Sequence, residues 1–320
     1  MGVIEREAPT TGVVGRAVAR IPAPSRPLMH KLAIASLVAN IVIIVTGGAV
    51  RLTGSGLGCP TWPRCTSSAF VVHDAAGVHG FIEFGNRMLT FALAAVAIAT
   101  WIAAMRYRPR RTSLRWLATI LALGIPAQAV IGGVTVLTEL NPWVVAFHLL
   151  TSLAMVGVAV LLVRRVDEDD GPPHLTVPRS AAALGKATFV AAWLVLYVGT
   201  VVTGSGPHAG DAKSPRTGLS PGAVSQLHAD LVFLLVGLTI GTLVALHSVG
   251  APQRAIRSAR WLLGVELAQG AVGFAQYFTH LPILLVGIHV LGAALVSAAA
   301  AWLLVGLRDR GMRRADPARG

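Results

Sequence analysis

The chain has 320 residues, 54% of them hydrophobic and 13% charged, where an ordinary soluble domain has about 45–50% and 25%. That balance excludes a soluble enzyme as the leading reading. Apolar runs of about 20 residues, long enough to cross a bilayer, fit one polytopic domain better than two globular ones. The formal net charge of +13 means little until each basic residue is placed.

From the N-terminus, residues 1–28 carry no secretory signal with a small-residue cleavage site and read as a retained, disordered cytoplasmic segment. Apolar stretches bounded by charge or turn residues then predict eight transmembrane helices, at about 30–51, 79–105, 114–137, 142–164, 185–204, 223–248, 260–278 and 282–306. The predicted fold class is an all-α polytopic membrane protein whose eight helices form two parallel pseudo-repeated four-helix bundles, residues 29–165 and 185–307. A cytoplasmic linker, 166–184, joins them and opens on the acidic, solvated run Asp167-Glu168-Asp169-Asp170. A basic cytoplasmic tail, 308–320, closes the chain. All but five of the 27 Lys and Arg residues fall on one side of these spans. Arg51, Arg64, Lys213 and Arg216 lie opposite and Arg87 within a span. The positive-inside rule therefore places both termini in the cytoplasm of a multi-pass cell-membrane protein. The charge reads as topology and contact with anionic membrane lipids, and nucleic acid drops out as a partner.

The halves resemble each other. Ala127-Gln128, Gly132 and His148 match Ala268-Gln269, Gly273 and His289 at a constant offset of 141. Thr53-Gly54-Ser55-Gly56 closes the first span as Thr203-Gly204-Ser205-Gly206 closes the fifth. Landmarks in the same order suggest two four-helix units, and an even helix count makes the copies parallel.

Titratable groups inside spans are costly and mark candidate sites. They are His79, Glu83, Arg87, His148, His228, Glu266 and His289, with His247 near a cytoplasmic end. His148, His228 and His289 follow the outer starts of the fourth, sixth and eighth spans by similar distances, roughly 7 to 11 Å at 1.5 Å per residue. A layer of imidazoles at one depth on alternate helices suits axial ligation of heme iron. His79, Glu83, Asn86 and Arg87 share one helical face by their spacing of four, three and four. Glu83 reads as a base or as a stabiliser of positive charge on a substrate. Arg87 reads as a partner of a propionate or of Glu83 itself. Glu266 reads as a hydrogen-bonded structural group.

Between the first two spans, Gly54-Ser55-Gly56-Leu57-Gly58-Cys59-Pro60-Thr61-Trp62-Pro63-Arg64-Cys65 brings two cysteines within bridging reach on the oxidising side. Cys59 and Cys65 read either as a structural staple or as an exposed redox pair that exchanges with an extracytoplasmic thiol partner. With His73 and His79 they lack the close ligand pairs of a zinc site.

Over roughly residues 28–306 the chain resembles the heme A synthase family, which converts heme O to heme A for cytochrome oxidases. The resemblance rests on Gly47-Gly48-Ala49-Val50-Arg51-Leu52-Thr53-Gly54-Ser55-Gly56-Leu57-Gly58-Cys59-Pro60, on Trp62-Pro63-Arg64-Cys65, on Ile82-Glu83-Phe84-Gly85-Asn86-Arg87 and on the histidines of the fourth, sixth and eighth spans. It implies a heme b held by His228 and His289 in the second unit. It implies a substrate-heme site in the first, with His148 as axial ligand, Glu83 as catalytic carboxylate, and Asn86, Arg87 and His79 around it. The implied reaction oxidises a heme methyl to formyl through successive hydroxylations, with heme O as substrate, heme A as product and an unspecified electron acceptor. A heme O synthase, the protoheme farnesyltransferase, is the implied partner.

Two departures stand out. Many members carry a histidine where this chain, like an actinobacterial variant, has Asn86. Either His79 replaces it or, as the distance along the helix favours, His148 is the sole protein ligand and the sixth iron position stays open. The loop from Pro207 to Pro221 also lacks the second cysteine pair that some members have. Two other classes compete: a quinone-linked diheme b-type electron carrier, which leaves Glu83 and the cysteine loop without a role, and a secondary transporter, which would be colourless.

Overall fold

The computed structural model describes residues 22–67, 69–71 and 77–311. The N-terminal segment expected to be disordered, most of the basic tail, and His73 lie wholly or largely outside the described residues. Eight long helices follow in chain order: α1 (Arg26–Leu52), α2 (Gly77–Arg106), α3 (Thr112–Leu137), α4 (Pro142–Asp167), α5 (Arg179–Ser205), α6 (Pro221–Ser248), α7 (Gln253–Phe278) and α8 (Ile283–Gly306). Two strands of two residues, β1 (His174–Leu175) and β2 (Arg308–Asp309), pair antiparallel, His174 opposite Asp309. The helices start where sequence and backbone chemistry coincide. Ser25, Asn141 and Ser220 accept the N–H groups of Leu28, Trp143 and Ala223, and a proline at the first or second helical position follows each.

Seven of the helices are long and apolar enough to cross a membrane, and α7 is the exception. Gln253, Arg254, Arg257, Arg260, Glu266, Gln269 and Gln276 dilute its apolar character, yet it packs between α6 and α8 as an eighth member of the bundle. Large apolar side chains such as Leu123, Phe233 and Leu284 point outward, the inverse of a water-soluble protein and the pattern of a lipid-facing surface. The chain is a multi-pass all-α membrane protein.

The helices close two rings. α1 contacts α2 and α4, and α3 bridges α2 to α4; α5 contacts α6 and α8, and α7 bridges α6 to α8. Along the seam α4 meets α8, α1 meets α8 and α4 meets α5, which is what an exchange of the two rings about one axis requires. At its centre the Ser297 hydroxyl donates to the Leu153 carbonyl at 2.8 Å.

The repeat is written into the backbone as well. Leu140 N–H reaches back to Thr135 O, and Leu281 N–H to Gln276 O, both at 2.7 Å. Thr138 and Thr279, and Glu139 and His280, repeat the neighbouring bonds at the same offset of 141. Glu139, Leu140, His280 and Leu281 all take positive φ, between 53° and 63°. Four non-glycine residues in that region are rare, and two matched pairs of them identify the α3–α4 and α7–α8 corners as copies.

The linker departs from the solvated run expected of it. Glu168 is buried and paired with Arg164 and Arg165, and the buried Arg111 donates to the Glu168 and Arg165 carbonyls. With β1 on β2, and Arg310 donating to Gly171 O at 3.0 Å, the linker is stitched to both halves. Isolated carboxylates in sequence read as solvated, whereas here the guanidinium groups of three elements converge on them. Asp169 and Asp170 remain exposed.

Candidate functional site

In the first ring the α1–α2 loop folds back over the bundle. Cys59 and Cys65 form a disulfide, 4.4 Å between Cα atoms, and both are buried, at 0% and 1% exposure, against Phe84 of α2. The exposed redox pair considered from sequence is therefore an enclosed one. Glu83, 5% exposed, accepts the Cys59 N–H at 2.7 Å and pairs with Arg87 one turn along α2. Arg87 in turn donates to the carbonyls of Cys59 at 3.0 Å, Thr61 at 3.1 Å and Arg64 at 3.3 Å. The pairing with Glu83 is one of the two considered for Arg87. Trp62, between the cysteines, lies on α3 so closely that a Cβ on Gly133 would come within 2.4 Å of its ring. The next residue along, Gly132, faces the His148 ring, which a Cβ there would meet at 3.4 Å. The loop thus ties α2 to α3 directly beside His148.

His79 and Asn86 part company although they share a face of α2. His79 Nδ1 bonds to the buried Ser55 hydroxyl at 2.9 Å, in a chain continued to Thr53. Asn86 has its buried Oδ1 without a hydrogen-bond partner among the described residues.

In the second ring His228 of α6 and His289 of α8 stand edge to face, ring centroids 6.4 Å apart. Two imidazoles bound to one metal atom from opposite sides need about 2.0 Å per metal–nitrogen bond and roughly 1 Å more from nitrogen to ring centre, close to 6 Å in all. Glycines back both rings: Gly199 of α5 approaches His228, and Gly273 of α7 approaches His289. His148, His228 and His289 all have a buried Nδ1 without a hydrogen-bond partner among the described residues, an expensive state for a polar atom left so. Among the described residues no three His, Cys, Asp or Glu side chains gather to hold a metal ion. Paired imidazoles with glycine-backed faces thus suit a metal that brings its own equatorial ligands, which is the case of heme.

Glu266 is the hydrogen-bonded group expected of it: Thr239 of α6 donates to its Oε1 at 2.8 Å. Gln269, one turn on, donates to the His289 carbonyl at 2.9 Å.

Sequence reasoning missed Arg51 as a structural residue, because its partners lie some 150 residues away. Its Nε donates to His208 O at 2.6 Å and its terminal nitrogen to Thr203 O at 2.9 Å, while Gly56 N–H donates to Gly210 O at 2.9 Å. The two loop regions, one per ring, are thereby locked together.

A family model described as cytochrome oxidase assembly protein matches residues 30–214, more than half of the chain. A heme A synthase of Geobacillus thermodenitrificans is 30% identical over 132 residues, 40% of this chain and 39% of its own length. Heme A synthases of Geobacillus kaustophilus, 27% identical over 47% of this chain and 46% of theirs, and of Shewanella oneidensis, 24% identical over 53% of each, are similar to it too. The matches span between two fifths and a little over half of these relatives' length. By the extent of the model match, the chain belongs to the cytochrome oxidase assembly protein family.

Proposed function

We propose that this protein is a heme A synthase, an oxidoreductase that converts a methyl substituent of heme O to a formyl group. The observation that carries the reading is an asymmetry between repeat-related sites. The second ring presents two facing histidines, His228 and His289, 6.4 Å apart. The first presents His148, the repeat mate of His289, together with an asparagine, Asn86. A pair of strong axial ligands suits a resident heme b, and a single one suits a heme that arrives and leaves as substrate. His79 engages only Nδ1 with Ser55, so the preference for His148 as sole protein ligand rests on the seven residues, about 10 Å along α2, that separate His79 from Asn86. Residues 29–165 are then the substrate unit and 185–307 the heme b unit.

The chain's own residues fit the reaction. Glu83 is fixed by the Cys59 N–H and by Arg87, so its carboxylate is a positioned group rather than a mobile one, as a general base needs to be. It stabilises or deprotonates an oxidised methyl intermediate as two successive hydroxylations, each giving up two electrons to an external acceptor and two protons while water supplies the oxygen, yield a dihydroxy carbon that loses water to the formyl. Trp62 on Gly133 shields the His148 side from water. The resident heme b supplies one-electron transfer.

Both termini lie in the cytoplasm of the cell membrane in this reading, by the one-sided distribution of Lys and Arg, and a heme O synthase supplies the substrate. Co-purification of the two enzymes from membranes tests that last association. The activity is tested by expressing the protein with a heme O source and extracting its hemes. Heme A together with heme b is the expected result. Heme b alone would identify an electron carrier, and absence of a Soret band would overturn any heme function.

A further inference from the structure

The face that α7 turns away from the bundle carries a feature that the heme sites do not use. At the linker end, Arg26, Arg111, Arg164, Arg165 and Arg254 each have a carboxylate within 4 Å. Arg257 and Arg260 have none among the described residues. Arg260 is held instead by a neutral acceptor, the Nε2 of His247 at 3.0 Å, whose Nδ1 is engaged with Leu243 O at 2.7 Å. Its orientation is fixed while its charge stays uncompensated. These two arginines, with Trp261 and Gly264, line an open groove of about 340 Å³.

The groove sits at a membrane boundary. Trp261 is 73% exposed, and at the other end of α7 Tyr277 and Phe278 are exposed nearly as much. At 1.5 Å per residue these aromatics stand about 24 Å apart, close to the hydrocarbon thickness, and exposed Trp and Tyr settle at its two edges. Arg257 and Arg260 therefore lie at headgroup depth. Below Trp261 the missing side chain of Gly264 leaves a notch, continued along the lipid face by exposed Leu267 and Phe274.

We propose that this groove binds an anionic phospholipid, its phosphate between Arg257 and Arg260 and one acyl chain over Gly264 beneath Trp261. Guanidinium forks suit phosphate oxygens, and the apolar notch selects a lipid over a free anion. The site adjoins the proposed heme b unit through α7 alone, the helix that also presents Gln269 and Gly273 to His289.

The test uses the full chain purified in mild detergent, with phosphatidylglycerol binding followed by native mass spectrometry and by quenching of Trp261 with brominated-chain lipid, W261F serving as the blank. Each arginine at an anionic headgroup accounts for roughly fivefold in affinity. R257A/R260A is thus expected to bind phosphatidylglycerol about 30-fold more weakly. K31A/R179A, which removes the same charge from exposed positions at the same end, is expected to stay within about twofold of the wild type. Equal losses in both double variants, or none in either, would overturn the proposal in favour of diffuse surface attraction. Should R257A/R260A fail to fold, the wild type decides alone: quenching and thermal stabilisation by phosphatidylglycerol but not by phosphatidylcholine or inorganic phosphate support the site. Equal effects of all three overturn it. None of these readouts depends on heme oxidation.

Discussion

The backbone N–H of Cys59 donates to the Glu83 carboxylate across 2.7 Å, so the one carboxylate on α2 is positioned by the disulfide loop above it. E83Q retains an acceptor oxygen for that bond but loses the charge and the basicity. It is expected to fold, to keep heme b and to lower heme A formation by at least 100-fold, the lower range of general-base contributions. Chromatography of extracted hemes checks this, and undiminished heme A would remove Glu83 from the chemistry.

Because both sulfurs are enclosed, the Cys59–Cys65 bridge is expected to behave as a staple. C59S/C65S should lose roughly 2 kcal/mol, the chain-entropy value for so short a loop, read as a lower thermal midpoint. In the wild type, a bulky water-soluble maleimide added after mild reductant should label neither thiol until the loop is opened by denaturant. Rapid labelling under native conditions would restore the exchange role.

Arg51 joins the rings by donating to Thr203 O and His208 O. R51A leaves both carbonyls without this donor, and at about 1–3 kcal/mol for an unsatisfied buried group should destabilise the protein by roughly 2–3 kcal/mol. R51K keeps the charge but not the fork and should recover less than half. Hydrogen exchange over 203–214 is expected to rise in both while that of α3 stays unchanged.

At the linker end Asp170 lies beyond the spans. Burial by itself raises its carboxyl, but hydrogen bonds from the Ser113 hydroxyl and N–H and the nearby Arg111 outweigh it and hold the group below its ordinary value. A depressed folded-state pKa adds stability above the unfolded value of about 4 and forfeits it as pH falls through the folded one. Protease cleavage of the linker, slow at neutral pH, is therefore expected to accelerate below about pH 4, and D170N should cleave faster at neutral pH with a flatter pH dependence.

Hydropathy, charge distribution and the two sets of landmarks 141 residues apart were readable along the chain, because bilayer crossing and helix periodicity are local properties of short windows. They placed all eight helices and the shared face of Glu83 and Arg87. Packing alone decided the rest. That Arg87 also binds the carbonyls of Cys59, Thr61 and Arg64, whether the cysteines are open or enclosed, that Arg51 spans two rings and that Glu168 is buried all depend on groups brought together from distant positions. A side chain's partner is set by where other helices end, and no window of sequence contains that.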